Sequence, residues 1–413
     1  MNVSLKEFIN NYLPKSYNEN MFLPNGKINP KYNTFKKTGI IAKIFEEHWK
    51  DVYLKNKTLI DEMRPNADYE INKIIDCANK SLGCSAYECP NCKDIIFIGY
   101  TCKSRICSSC GYKYKLNKVE NIMQTAYKVQ HRQIVFTIPK ELRKYFFHPF
   151  KQRIDLLFKA VNETIYSILN LYFKSDDYGH IKKHIRKNRF IPGFFAFLHT
   201  FGRDIKWNPH IHILIAEMKL SNNKIQDWLY FNYDALSKRF MKILLDLLYE
   251  DIGKSFYKVK CDMYKKYPNG FYVYAEKKKF KNIKSCIEYV TRYCGRVPIS
   301  ENRIINYDGN NVTFCYNAHE DESYHEETVT AEKFILMLLR HLIPSNYKII
   351  RYYGFYRKKH KLHDKIELII DVSSRRIRTN SLRYENSIKQ HFNRNPYNCP
   401  ICDVRCKFLC EIV

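Results

Sequence analysis

The spacing of apolar positions changes repeatedly along this 413-residue chain. Thr38–Leu54 repeats at the helical period and begins at a hydroxyl residue suited to a cap. Residues 1–75 as a whole read as mostly helical, and residues 119–129 as a further helix. His131–Pro139 is short and rich in β-branched residues, which predicts a strand. Glu141–Phe173 returns to helical spacing. Phe194–Thr200 and His210–Ala216 predict two buried strands, with Gly202, Asp204, Asn208 and Pro209 breaking the chain between them. Ile225–Tyr249 is an amphipathic helix by pattern, and Gly270–Ala275 a strand. Lys281–Cys294 is again helical, with Ile283, Ile287 and Val290 as its apolar stripe and Gly295 and Pro298 ending it. Residues 302–316 suit a hairpin turning at Asp308-Gly309, and Thr330–His341 suits a helix.

The strand pattern gives chemistry to the hairpin. His210 and His212 are two apart, so their imidazoles share one face while Ile211 and Ile213 take the other. Neutral imidazoles side by side on a rigid strand form a chelate. His199, on the partner strand, is placed to complete the site, with Asp204 as the alternative third ligand. Such a centre holds a divalent ion with positions open to substrate.

Charge narrows the substrate. Seventy Lys and Arg stand against 42 Asp and Glu, a formal net charge of +28. An excess of that size points to a polyanion, most simply nucleic acid. Lys103, Arg105, Lys182, Lys183 and Arg186 are candidate phosphate contacts, the last three within a basic loop over Asp176–Arg189. No apolar run is long enough to span a bilayer. The opening MNVSLKEFINNYL has no signal-peptide core. A cytoplasmic, nucleoid-associated protein without a membrane partner is the expectation.

In that compartment clustered cysteines serve as metal ligands rather than disulfides. Two C-x-x-C knuckles, Cys89/Cys92 and Cys107/Cys110, are separated by about the interval of a zinc ribbon, and predict one structural zinc ion. Cys77, Cys84 and Cys102 are left over, for a second site or as buried thiols. Cys399, Cys402, Cys406 and Cys410 make another candidate zinc site in the tail.

A nucleophile completes the chemistry. Tyr289 and Tyr293 are four apart on a predicted helix and share a face, with Arg292 and Arg296 beside them. A phenolate can attack phosphorus and conserve the bond energy as a phosphotyrosine. Taken alone, such a pair also suits simple packing.

Several ordered motifs together carry a resemblance over roughly residues 35–360: TCKSRICSSC (Thr101–Cys110), VFTIP (Val135–Pro139), HTFGRDIKWNPHIHILI (His199–Ile215), YVTRYCGRVPIS (Tyr289–Ser300) followed by Arg303-Ile304, and HLIPSNYKIIRYYG (His341–Gly354). The chain resembles the two-tyrosine HUH transposases of rolling-circle insertion sequences. The resemblance implies an α+β fold in which a central antiparallel sheet is flanked by helices, preceded by a helical and zinc-binding module. It implies Mg or Mn on His210 and His212, with His199 third, and structural Zn. It implies Tyr289 and Tyr293 as nucleophiles that cleave single-stranded DNA, leaving a 5′-phosphotyrosine and a free 3′-hydroxyl. Gln133 and Asn208 depart from the pattern, standing where relatives often carry histidine. The expected organisation is a helical region (1–75), a zinc-binding domain (76–118), the nuclease domain (119–300), its C-terminal part (301–370) and a basic tail with a second knuckle (371–413). A plasmid or phage replication initiator and a non-catalytic, zinc-dependent DNA-binding protein are the alternatives. Oligomeric state is open.

Overall fold

The computed structural model describes residues 2–3, 39–78, 82–175, 181–185, 190–222, 224–229, 231–274, 297–318, 321–344, 346–357, 366–368, 380, 383–393 and 395–412. The predicted helix over Lys281–Cys294, with Tyr289, Arg292 and Tyr293, lies outside these residues, as do Arg186 and Arg296. The chain forms two compact units. One joins Met1–Asn117, Val297–Leu342 and Val372–Val413; the other joins Lys118–Arg296 and Ile343–Asp371. The segment 301–370 is therefore divided between the units, and the tail groups with the cysteine-rich segment.

The second unit is built on an antiparallel sheet. Its strands run in the order Val273–Tyr274, His131–Thr137, Trp207–Ser221, Ile191–Phe201, Ile350–Gly354, and Lys224–Asp227 folds back on Trp207–Ser221. Alternation sorts the side chains onto two faces. Ile134, Phe136, Ala196, Leu198, Ile211, Ile213 and Ile215 fall on one face by register, and all are buried. The helices Phe150–Asn170 and Tyr233–Ile252 pack on the sheet and on each other. Phe240 of the second helix meets Phe136 edge to face at 5.1 Å, an arrangement the ring quadrupoles favour.

Local chemistry moves several predicted boundaries. The amphipathic helix starts at Tyr233, not Ile225, because the Asn232 side chain caps it by accepting from Ala235 N at 3.0 Å. Residues Lys224–Asp227 are instead a strand. The long helix expected over Glu141–Phe173 is interrupted at Pro149: Lys140–Arg143 precedes it and Phe150–Asn170 follows. Leu171–Ser175 then pairs with Ile181–Ile185, so part of the expected basic loop is a hairpin strand. At the sheet edge Gly354 sits at φ +60, and any Cβ there would strike the Pro192 carbonyl oxygen. Only glycine supplies that conformation without strain.

The first unit holds the helices Ile40–Met63, Ala67–Ile75 and Ala331–Leu339, and the three-stranded sheet Ile304–Tyr307, Asn311–Asn317, Tyr324–Thr330. Thr330 ends the last strand and caps the following helix, accepting from Lys333 N at 3.3 Å. A second sheet runs Asn2–Val3, Lys407–Ile412, Cys84–Glu88, Ile95–Gly99. The fold is α+β with antiparallel central pairing, as expected. Among the described residues no helix is long and apolar enough to cross a membrane.

Candidate functional site

Strand register assembles the histidine centre. His199 lies directly opposite His210, and His212 is two residues further along the same strand. All three therefore project from one face. Ring centroids are 5.2 Å apart for His199 and His210, 4.4 Å for His199 and His212, and 4.9 Å for His210 and His212. One ligand nitrogen from each lies within 4.8 Å of the others. His199 and His212 are buried and His210 is half-buried. Asp204 is instead engaged in the hairpin turn, where Lys206 N donates to it at 3.2 Å and Lys206 Nζ lies 3.1 Å away.

Hydrogen bonds fix the roles of the ring nitrogens. His210 Nδ1 lies 2.7 Å from the Asn208 carbonyl oxygen. A carbonyl only accepts, so Nδ1 carries the proton and Nε2 is left as a bare lone pair. His212 Nδ1 lies 2.9 Å from the Gln133 side-chain amide nitrogen, so its tautomer follows which end of that amide faces it. Burial holds the His212 imidazole well below its usual pKa, with His199 and His210 adding to the effect. A neutral ring is the form that binds a metal. Three imidazoles converging on one point fit a divalent ion, and the donor set suits a transition ion better than Mg. Nearby His131 is used differently. Its ring lies between the Val129 carbonyl oxygen and the Tyr356 hydroxyl, each at 2.8 Å. Burial lowers its pKa to about 4.

The cysteines partition in a way their spacing does not suggest. Cys89/Cys92 and Cys107/Cys110 do not share a site. The strands Cys84–Glu88 and Ile95–Gly99 pair with Glu88 opposite Ile95 and Cys84 opposite Gly99. The Cys89/Cys92 knuckle is thus at the tip of the hairpin, while Cys102 follows its other end. Four residue steps of strand separate the ends by about 13 Å. Cys107 and Cys110 meet Cys77 and Cys102 instead. Sulfur–sulfur distances are 3.7 Å for Cys77–Cys110, 3.6 Å for Cys102–Cys110 and 3.9 Å for Cys77–Cys107. A tetrahedral ion with 2.3 Å metal–sulfur bonds has edges of about 3.8 Å. All four residues are buried, and four thiolates that close together need a cation. The Cys107 thiol is drawn down to about 7 by hydrogen bonds from Cys102 and Cys110, while those same contacts hold Cys102 far up.

The tail is also regrouped. Cys399 and Cys402 join Cys89 and Cys92, and Cys406 and Cys410 stay out of the group. Cys406 packs in an apolar cluster with Cys89, Ile96 and Cys399. Cys410 lies on the strand Lys407–Ile412, opposite Ala86. A strand carries residues four apart about 13 Å from one another, too far for one ion. Cys84 is a buried thiol outside both groups, pushed up to about 12 by burial. The repeated tetrapeptide Cys-Pro-x-Cys at 89–92 and 399–402 was the sequence signal for this pairing. Nothing in the spacing pointed to Gln133.

Of the candidate phosphate contacts, Lys103 is exposed and follows Cys102 in a left-handed conformation. Arg105 stacks its guanidinium 5.0 Å from the Tyr114 ring centre, and burial lowers its pKa. Lys182 and Lys183 lie on the strand Ile181–Ile185, in register with Lys174 and Phe173.

The family described as "Putative transposase" matches residues 193–363, which include the histidine hairpin. The family described as "Transposase zinc-binding domain" matches residues 44–138, which include Cys77, Cys102, Cys107 and Cys110. The chain is similar to the transposase for insertion sequence element IS801 of Pseudomonas savastanoi pv. phaseolicola, 25% identical over 373 residues, covering 83% of each chain. It is also similar to the protein named putative transposase y4qJ of Sinorhizobium fredii (strain NBRC 101917 / NGR234), 24% identical over 349 residues, covering 79% of this chain and 84% of that one. The zinc-binding match comes first along the chain and the match that holds the histidine hairpin follows it, and in both segments the chain is similar to transposases.

Proposed function

We propose that this transposase cuts and rejoins single-stranded DNA by tyrosine transesterification. The observation that carries the reading is the convergence of His199, His210 and His212 on one face of the sheet. A divalent ion held there, Mn or Mg, would supply positive charge for a phosphodiester oxygen. His210 keeps its Nε2 lone pair directed inward because the Asn208 carbonyl oxygen accepts from its Nδ1; His212 would do the same once the Gln133 amide presents its carbonyl to Nδ1. The hairpin is a rigid platform, so the scissile phosphate would be held without reorganisation at the moment of attack.

Tyr289 and Tyr293 are the proposed nucleophiles. The phenolic oxygen of one attacks phosphorus. The bond from phosphorus to the 3′-oxygen breaks, and that oxygen takes up a proton and leaves as a free 3′-hydroxyl. The DNA 5′ end stays on the protein as a phosphotyrosine. Attack by a 3′-hydroxyl on this linkage reverses the step and joins strands, releasing the tyrosine. Two tyrosines would allow a second cut while the first strand remains attached. Arg292, Arg296, Lys103, Arg105, Lys182, Lys183 and Arg186 would neutralise phosphates along the strand.

The test is a covalent-adduct assay. Labelled single-stranded oligonucleotides tiled from both flanks of the gene are mixed with the protein and Mn or Mg, then resolved under denaturing conditions. A metal-dependent adduct is expected, lost in Tyr289→Phe/Tyr293→Phe and in His210→Ala. An adduct that survives the double tyrosine change would refute the proposed nucleophiles. Binding of the same DNA with no adduct from any oligonucleotide would leave the protein a DNA-binding relative without this chemistry.

A further inference from the structure

Two stretches 307 residues apart fold into the same small structure. Cys89-Pro90-Asn91-Cys92 and Cys399-Pro400-Ile401-Cys402 share the pattern Cys-Pro-x-Cys. In the first, Cys89 N donates to Asp94 O at 2.8 Å and Lys93 N to Cys89 O at 3.0 Å. In the second, Cys399 N donates to Val404 O at 2.9 Å and Asp403 N to Cys399 O at 2.9 Å. The residue after each second cysteine is left-handed, Lys93 at φ 61 and Asp403 at φ 52. These matched turns point their sulfurs at one another: Cys92 Sγ lies 3.6 Å from Cys399 Sγ, and all four sulfurs lie within 4.8 Å.

We propose that Cys89, Cys92, Cys399 and Cys402 hold a second structural zinc ion, which fastens the tail to the cysteine-rich segment as one zinc ribbon. The match to the zinc-binding domain ends at residue 138 and contains only half of these ligands. The sulfur separation is the edge of a tetrahedral thiolate site and far beyond a disulfide bond of about 2.05 Å. Ile401 N and Cys402 N approach Cys399 Sγ at 3.4 and 3.5 Å. Backbone N–H groups aimed at a sulfur stabilise it as thiolate and orient it for a metal.

The surroundings already treat the tail as part of the module. Lys407–Ile412 pairs with Cys84–Glu88. Tyr87 packs its ring against Tyr397 and Phe408, with centroids 5.1 and 5.5 Å away. Within the tail, Arg405 forms two bonds to Glu385, at 2.6 and 3.0 Å. A six-residue strand and a few ring contacts give a small core, the circumstance in which a metal substitutes for buried area. The two sites differ in access. Cys77, Cys102, Cys107 and Cys110 are all buried, whereas Cys92 is exposed and Cys402 half-buried. Zinc at the ribbon should therefore leave first.

Zinc content and native mass of the full chain provide the test. Two zinc ions per chain are expected, falling to one in Cys399→Ser/Cys402→Ser and staying at two in Cys406→Ala. Chelator should remove zinc in two phases, and the fast phase should be missing from the double variant. In the wild type, alkylation after the fast phase should label Cys89, Cys92, Cys399 and Cys402 as a set while Cys77, Cys102, Cys107 and Cys110 stay protected. That arm needs no variant to fold. One zinc ion in the wild type, or Cys399 and Cys402 labelling while the protein is fully loaded, would overturn the proposal.

Discussion

Gln133 is where the proposed metal centre can be tested through a residue that touches no metal. Its amide nitrogen lies 2.9 Å from His212 Nδ1, and a flip of the amide would present the carbonyl oxygen there instead. If the NH₂ donates, His212 must carry its proton on Nε2, the atom needed as a ligand. If the carbonyl accepts, Nδ1 is protonated and Nε2 is bare. Metal binding through Nε2 therefore selects the carbonyl orientation. Gln133→Leu keeps the bulk of a buried side chain and removes the acceptor. Loss of such an outer partner typically lowers metal affinity 10–100-fold, about 1.4–2.7 kcal/mol. Leaving a buried ring N–H unpaired costs about 1–3 kcal/mol, so the variant should still fold. Gln133→Glu is the complementary change, because a carboxylate can only accept from Nδ1. Mn titration by calorimetry should show affinity weakened in Gln133→Leu and equal or tighter in Gln133→Glu. Unchanged Mn affinity in the leucine variant, or weaker binding in the glutamate variant than in the leucine one, would refute the assignment of roles to His212 and Gln133.

Two further perturbations test the scaffold. The His131 pKa is lowered by burial to about 4, so below about pH 6.5 the unfolded chain binds a proton that the folded one refuses, and stability falls with pH down to about 4. This group alone should remove about 2 kcal/mol between pH 7.5 and 5, and denaturant titrations of His131→Gln should show a flatter pH dependence than the wild type. A slope unchanged in that variant would place the acid sensitivity elsewhere. Gly354→Ala meets both a positive φ and the Pro192 carbonyl oxygen, so we expect a loss of at least about 2 kcal/mol, seen as faster amide exchange along Ile350–Gly354; wild-type exchange there would contradict the strain argument.

What the sequence revealed follows from the range of each interaction. The histidine hairpin was legible because strand period and turn residues are local, and they dictate that His210 and His212 share a face. His199 could be placed beside them because a short turn makes the two strands neighbours. Boundaries moved where a single local group outweighed periodicity. Asn232 captures the helix start from Ile225, and Pro149 interrupts a run whose apolar spacing continues past it. The sulfur sites were misassigned because spacing measures distance along the chain, whereas a strand between two knuckles converts that distance into separation in space. Ile95–Gly99 carries the chain away from Cys89 and Cys92, which meet Cys399 and Cys402 instead.

Gln133 illustrates the remaining limit and what it implies. By resemblance, this position and Asn208 often carry histidine, so their exchange reads in sequence as lost ligands. In the structure the Asn208 backbone carbonyl, which any residue would provide, orients His210. The Gln133 amide contacts His212 from a diagonal position on the neighbouring strand. Neither change removes a member of the three-histidine group. The two departures thus fall on positions that contact His210 and His212 at Nδ1, and under the proposed metal centre such a position needs only an atom that can accept from Nδ1. The outcome for Gln133→Glu against Gln133→Leu would show whether acceptance is the property that position must keep.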